Sequence, residues 1–328
     1  MTSSRLYGLD ALRGIAALCV LALHVHAVFG GYPGWFGKGY LAVDFFFMLS
    51  GYVMARTYEP RLAQGLGAAR FFMARYRRIW PTMLVGAVLG VPILAARAGD
   101  PGQFGPVFVA NLALLPFPFD DELFALNVPA WSIFYELFAN YVHGTFVWRW
   151  RSSAILAAIV ATAVLVAIAA AAHGDIDLGA RPATFFAGFV RALFAYLIGI
   201  VLWRWWQDRP VWPVPALPAI AAMPLIVMGM SVLGFTSWPF DFVFVLVVCP
   251  VLIAGGLRSS GTSRLAVLSG LLSFPLYAVH YPVLLLGKSF ELGPLGSALA
   301  ALGVALAVVV WSDRCARAGS RVAKGAPG

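Results

Sequence analysis

Apolar runs of about twenty residues recur along the chain, separated by short turns rich in glycine, proline and charge. A run of that length crosses the ~30 Å hydrocarbon core of a bilayer as an α-helix. Lipid offers no partner for a bare backbone N–H or C=O, so a helix is the conformation open to such a run inside a membrane. Hydrophobic residues make up 61% of the 328 and charged ones only 11%, a balance that excludes an ordinary soluble domain.

The runs predict an all-α, polytopic integral membrane protein of about ten transmembrane helices in one domain, 1–328. The spans fall at 11–29, 40–58, 82–96, 129–147, 154–172, 184–203, 216–234, 240–257, 266–286 and 295–311. The longest connection, 98–128, carries Asp100, Asp120, Asp121 and Glu122. Its apolar stretch FGPVFVANLALLP is too short to cross and reads as interfacial or re-entrant.

Ten spans put both termini on one side. With the N-terminus inside, all but five of the 23 Lys and Arg residues fall in the cytoplasm or at its mouth: Lys38, Arg97, Arg181 and Lys288 lie outside and Arg191 lies within a span. That asymmetry is the positive-inside pattern, so both termini are expected to be cytoplasmic. It also accounts for the net charge of +9 without a nucleic-acid partner. The basic tail after the last span, with Arg314, Arg317, Arg321 and Lys324, belongs to the same inner side. The N-terminus resembles a signal peptide, but the segment is long enough to span and is expected to be retained. Cys19, Cys249 and Cys315 stand apart, with no spacing suited to zinc or redox work, so neither a disulfide nor a metal site is expected.

Against this background the ionisable residues inside spans stand out. The first span, GLDALRGIAALCVLALHVHAVF, carries Asp10, Arg13 and His24. A charge at the centre of a membrane helix costs ~3 kcal/mol, so one is kept where it is paired, faces water or works. Arg13 and His24 are three helical turns apart with roughly 20° of offset, hence on one face and about 16 Å apart. Asp10, at i,i+3 from Arg13, is placed to pair with it at the inner mouth.

The expected topology brings His24, Asp44, Glu136, Arg191 and His280 to similar depth in the outer half of the membrane. That suggests a shared polar cavity. The alternative for each is a satisfied buried pair, such as Glu136 with Arg191. A histidine there can serve as general base towards a hydroxyl or as a nucleophile, with Glu136 or Asp44 fixing its tautomer.

On the inner side, RFFMARYRRIWP sets Arg75 and Arg78 on one helical face, a spacing suited to gripping phosphate. The alternative is that these arginines signal topology or meet lipid headgroups. A pantetheine arm matches the Arg13 to His24 separation, so an acyl-CoA held inside can present its thioester to an acceptor arriving from outside. The rival readings are a proton-coupled transporter of a small polar solute or glycan precursor and a non-catalytic scaffold.

Five motifs in order carry a family resemblance: LDALRG with Arg13 and His24; GYLAVDFFFMLSGY with Asp44 and Ser50; RYRRIWP with Arg75 and Arg78; PAWSIFYE with Trp131, Ser132 and Glu136; and FPLYAVHYP with His280. Together the chain resembles the acyltransferase-3 family of membrane O-acyltransferases, which includes exopolysaccharide and lipopolysaccharide O-acetylases. The resemblance implies a bacterial inner-membrane enzyme that moves an acyl group, usually acetyl from acetyl-CoA, onto a hydroxyl of an extracytoplasmic or lipid-linked glycan. Its partners would be acyl-CoA, the glycan, membrane lipid and polysaccharide-assembly proteins. The family's essential arginine and histidine map onto Arg13 and His24, and its arginine pair onto Arg75 and Arg78. Tyr52 stands where the family often has phenylalanine. The chain also stops soon after the last span, without the esterase-like domain some members carry, which leans towards a stand-alone enzyme.

Overall fold

A computed structural model describes residues 5–30, 34–98, 101–259 and 263–325, with the side chain of 101 and those from 316 onward excluded. Asp100 and the side chains of Arg317, Arg321 and Lys324 thus lie outside the described residues. Among the described residues there are twelve α-helices and no strand, only an isolated bridge between Phe119 and Glu122.

The helices are α1 (Tyr7–Phe29), α2 (Leu41–Ala63), α3 (Ala68–Arg97), α4 (Pro101–Leu112), α5 (Ala130–Thr145) and α6 (Ser152–His173). They continue with α7 (Phe185–Trp206), α8 (Ala216–Val232), α9 (Trp238–Val243), α10 (Cys249–Leu257), α11 (Arg264–Ser289) and α12 (Gly293–Gly325). One wide π-helical turn, Phe244–Val248, joins α9 to α10 into a single rod. Among the described residues seven rods, against ten expected spans, are long and apolar enough to cross a bilayer. The protein is therefore an all-α polytopic membrane protein.

Its outer surface is apolar. On α6, Leu156, Val160, Val164, Leu165 and Ile168 are exposed, and on α12 Leu295, Leu299 and Leu306 are exposed. In water such faces would be costly, whereas in lipid they are the natural exterior.

One difference from the expected spans follows from helix physics. The arginine-rich stretch does not end before Pro81. Instead α3 runs unbroken for 30 residues from Ala68, so Arg75 and Arg78 ride on the same rod as the third span. Pro81 removes one N–H from the ladder but leaves the rod intact, and neighbouring helices support it. The connection after α3 holds a short helix, α4, with Val107 buried.

Inside, α1 lies along α11, α2 along α7, and α3 against α11. The α2–α7 seam is close, because a Cβ at Gly51 would meet the carbonyl oxygen of Tyr196 and one at Gly199 would meet that of Met48. Small residues let helix backbones approach where lipid supplies no hydrophobic drive between them. Gly199→Leu is accordingly expected to lower stability by about 1–3 kcal/mol or more. The check is the thermal midpoint of detergent-extracted protein followed by size-exclusion chromatography.

Candidate active site

The seam between α1, α2, α3, α5 and α11 encloses a cavity of about 170 Å³. Arg13, Arg75, Arg78 and Glu136 supply its charges, and Ser50, Ser132, Ser273 and Tyr277 its hydroxyls. Phe46, Phe47 and Ile133 are among its apolar walls. Glu136 accepts from Ser50 Oγ at 2.7 Å and from Arg75 Nη2 at 3.1 Å. Ser132 and Tyr277 share a 2.6 Å hydrogen bond, and both also reach the carbonyl of Pro129.

Three guanidinium groups therefore face one carboxylate. Asp10, expected beside Arg13, pairs instead at 2.6 Å with Arg5, which lies in the segment leading into α1. Arg13 and Arg78 enter no ion pair among the described residues. Arg75 Nε is buried with no partner although its Nη2 is engaged. A buried guanidinium N–H left bare costs ~1–3 kcal/mol or more, so the cavity is short of an acceptor.

His24 is set three turns up α1 from Arg13, beside a different part of α11. Its Nδ1 lies 3.0 Å from Nε2 of His280 and 3.0 Å from the carbonyl of Val20. His280 Nδ1 lies 3.0 and 2.9 Å from the carbonyls of Leu276 and Tyr277. The Tyr281 ring meets His24 edge-on at 5.1 Å between centroids. Tyr277, which lines the cavity, lies 5.8 Å from the His280 ring. Cavity and imidazoles are thus one turn apart on α11, and Arg13 and His24 both face that helix, as the shared stripe on α1 predicted.

The five groups expected to share one cavity are instead divided among three sites. Arg191, the largest fully buried side chain, has all its N–H groups placed. Nε and Nη2 donate to the two oxygens of Asp44 at 3.0 and 2.8 Å, and Nη2 also to the carbonyl of Tyr40. Nη1 donates to Asp177 and to the carbonyl of Leu178. Trp131 lies over this guanidinium at 5.3 Å.

Asp44 is therefore turned to Arg191 and away from His24, and the Glu136–Arg191 alternative gives way to Arg75–Glu136 and Asp44–Arg191. The fork-to-fork geometry of arginine with a carboxylate satisfies two buried charges at once, which explains why Asp44 goes there. The contact expected of a carboxylate on His24 belongs to His280.

Several buried groups were not anticipated. Lys38 Nζ donates to Asp241 and to the Tyr40 hydroxyl, both at 2.7 Å. Glu59 accepts from Arg204 and meets His143. Asp241 could have been noticed as a lone acid opening an apolar run; Tyr277 carries no charge to flag it. The acidic connection is latched: Asp120 and Glu122 both accept from Arg97, at 2.9 and 2.8 Å. Burial pushes the Glu122 carboxyl above the ordinary glutamate range, against the opposing pull of Arg97. Among the described residues no cluster of three or more His, Cys, Asp or Glu is suited to a metal ion.

A helical membrane bundle with three guanidinium groups around an internal cavity defines a class: an integral membrane protein with a cationic cavity among its helices. Within that class the chain belongs to the acyltransferase-3 family, whose profile, described as an acyltransferase domain, matches residues 6–314. It is 35% identical over 182 residues to "Protein 2 in picA locus" of Rhizobium radiobacter, covering 50% of this chain and 93% of that one. It is 24% identical over 255 residues to the "Exopolysaccharide production protein ExoZ" of Rhizobium meliloti, covering 75% of each. Over 85 residues it is 32% identical to the "Peptidoglycan O-acetyltransferase OatA" of Listeria monocytogenes, which is 25% of this chain and 13% of that one. No solved structure gives a significant match.

Proposed function

We propose that the protein transfers an acyl group, acetyl from acetyl-CoA, to a hydroxyl of an extracytoplasmic or lipid-linked glycan. The observation that carries this reading is the cavity with three arginines, one carboxylate and an unsatisfied buried guanidinium N–H. A phosphorylated donor supplies the missing acceptors. At about 170 Å³ the cavity is smaller than the ~300–1,000 Å³ of a whole-ligand pocket, so it suits the donor's phosphate groups alone, with the nucleoside left outside beside exposed Arg78 and the acyl arm reaching along α1 towards His24. The exopolysaccharide function in the name of one relative and the O-acetyl transfer in the name of another support the acceptor class.

The reading takes the end of the bundle rich in arginine as cytoplasmic, with both termini there, in a bacterial inner membrane. Arg13, Arg75 and Arg78 hold the donor's phosphates and Glu136 with Ser50 fixes Arg75. His24 acts as general base. The acceptor oxygen bonds to the thioester carbonyl carbon while its proton passes to His24, the C–S bond breaks, and His24 returns the proton to the leaving thiolate. Membrane lipid surrounds the site, and polysaccharide-assembly proteins bring the glycan.

The test is release of free thiol by purified protein in lipid, given acetyl-CoA and a glycan fraction. Release is expected to require the glycan. Arg78→Ala is expected to raise the donor KM about tenfold or more, since a hydrogen bond to a charged group is worth ~1.5–3 kcal/mol, with kcat little changed. Absence of glycan-dependent thiol, with proton-driven solute uptake in its place, would return the transporter reading.

A further inference from the structure

Four distances fix the protons of the imidazole pair. A carbonyl oxygen only accepts, so a ring nitrogen beside one must carry hydrogen. His280 Nδ1 sits against two carbonyls, those of Leu276 and Tyr277, and is therefore N–H. His24 Nδ1 sits against the carbonyl of Val20 and is N–H as well. Between the rings, His24 Nδ1 and His280 Nε2 are 3.0 Å apart. With hydrogen already on His24 Nδ1, that contact is a hydrogen bond only if His280 Nε2 bears a lone pair. His24 Nε2 then bears the other lone pair, and it has no hydrogen-bond partner among the described residues.

We infer that His280 is the positioning residue of the reaction: its carbonyl-anchored ring joins the Val20 carbonyl as a second acceptor for the His24 Nδ1 hydrogen, and the two together hold the tautomer and ring orientation that turn the basic Nε2 of His24 towards the acceptor hydroxyl. This rests on the acyl-transfer reading and deepens it. The role usually filled by a carboxylate, orienting a catalytic imidazole, is here filled by a second imidazole whose own tautomer is set by the carbonyls of its helix. A neutral orienting group also suits the site, because an acid beside His24 would be an added buried charge and both carboxylates expected to orient it are committed to arginines elsewhere. As His24 takes up the acceptor proton, its positive ring keeps donating through Nδ1 to His280, so the proton stays on His24 and is available to the departing thiolate.

The experiment uses full-length protein in lipid, with histidine labelled by nitrogen-15, and two variants. His280→Phe keeps a ring and removes the acceptor nitrogen; His280→Gln restores an acceptor, its amide oxygen, near the Nε2 position. Expected in the wild type are nitrogen signals for His24 with Nδ1 protonated and Nε2 bare, and in His280→Phe, where the Val20 carbonyl alone is left to accept, a detectable share of the Nε2-protonated tautomer. Expected kinetically is a fall in kcat of about 100-fold or more for His280→Phe with donor KM within twofold, and recovery to within about tenfold of wild type for His280→Gln.

A His24 signal protonated at Nε2 in the wild type would overturn the inference, as would a His280→Phe enzyme with undiminished kcat. Equal losses in His280→Phe and His280→Gln would also overturn it, assigning the residue to packing. If the wild type itself releases no glycan-dependent thiol, the acyl-transfer reading fails, while the nitrogen signals still report on the pair.

Discussion

His24→Ala protein is expected to insert, extract and bind donor like the wild type, yet to transfer acyl groups about 100- to 10,000-fold more slowly, the usual contribution of a general base. The folding half of this expectation comes from what His24 touches: its own helix at Val20, the His280 ring and the edge of Tyr281. It holds no charge in place and lies in no ion pair. The donor half comes from distance, since the arginine cavity is lined at its near end by Tyr277 and contains no atom of His24. Donor KM should therefore hold while kcat falls, which is the mark of an interaction made in the transition state. Single-turnover thiol release separates the two roles open to a histidine. A base gives no thiol until the glycan is present. A nucleophile gives a burst of thiol without glycan, and that burst would remove the direct transfer proposed above.

The sequence made the bundle legible because the bilayer restricts the choices: each of the ten expected segments is helical, and no strand competes among the described residues. The Arg13 to His24 stripe was legible for a similar reason, a fixed helical period placing both on the side that faces α11. Pairing was not legible. Depth along a span says which groups are level with one another, but rotation about the axis decides which of them meet, and that is set by packing against neighbours. Asp44 and Glu136 were level with His24 and were expected to orient it, yet α2 is turned by its close seam with α7 so that Asp44 meets Arg191. His280 was expected in the polar cluster, but its contact with His24 and with two carbonyls of its own helix is something no residue type announces. The run from Arg70 to Arg78 read as helical, but Pro81 hid its continuity with the third span.

Arg191→Met is expected to destabilise the folded protein by about 3–5 kcal/mol, enough to remove most extractable protein. The wild-type guanidinium closes hydrogen bonds to α2 through Asp44, to the turn before it through Tyr40, and to the loop before α7 through Asp177 and Leu178. Methionine fills much of the volume but leaves Asp44, which is wholly buried, as a charge with no partner. Asp177 is affected less, since it is exposed enough to be hydrated when the pair is lost. The double variant Asp44→Leu with Arg191→Met removes both charges together, and replacing a buried pair by apolar residues is often neutral or stabilising. It should recover most of the thermal midpoint. Activity then decides between two assignments of Asp44. If Asp44 serves only to seat α2 against α7, glycan-dependent thiol release returns with the fold. If the double variant is as stable as wild type but inactive, Asp44 acts on the chemistry after all, and the division of the buried groups into separate sites does not describe how they work.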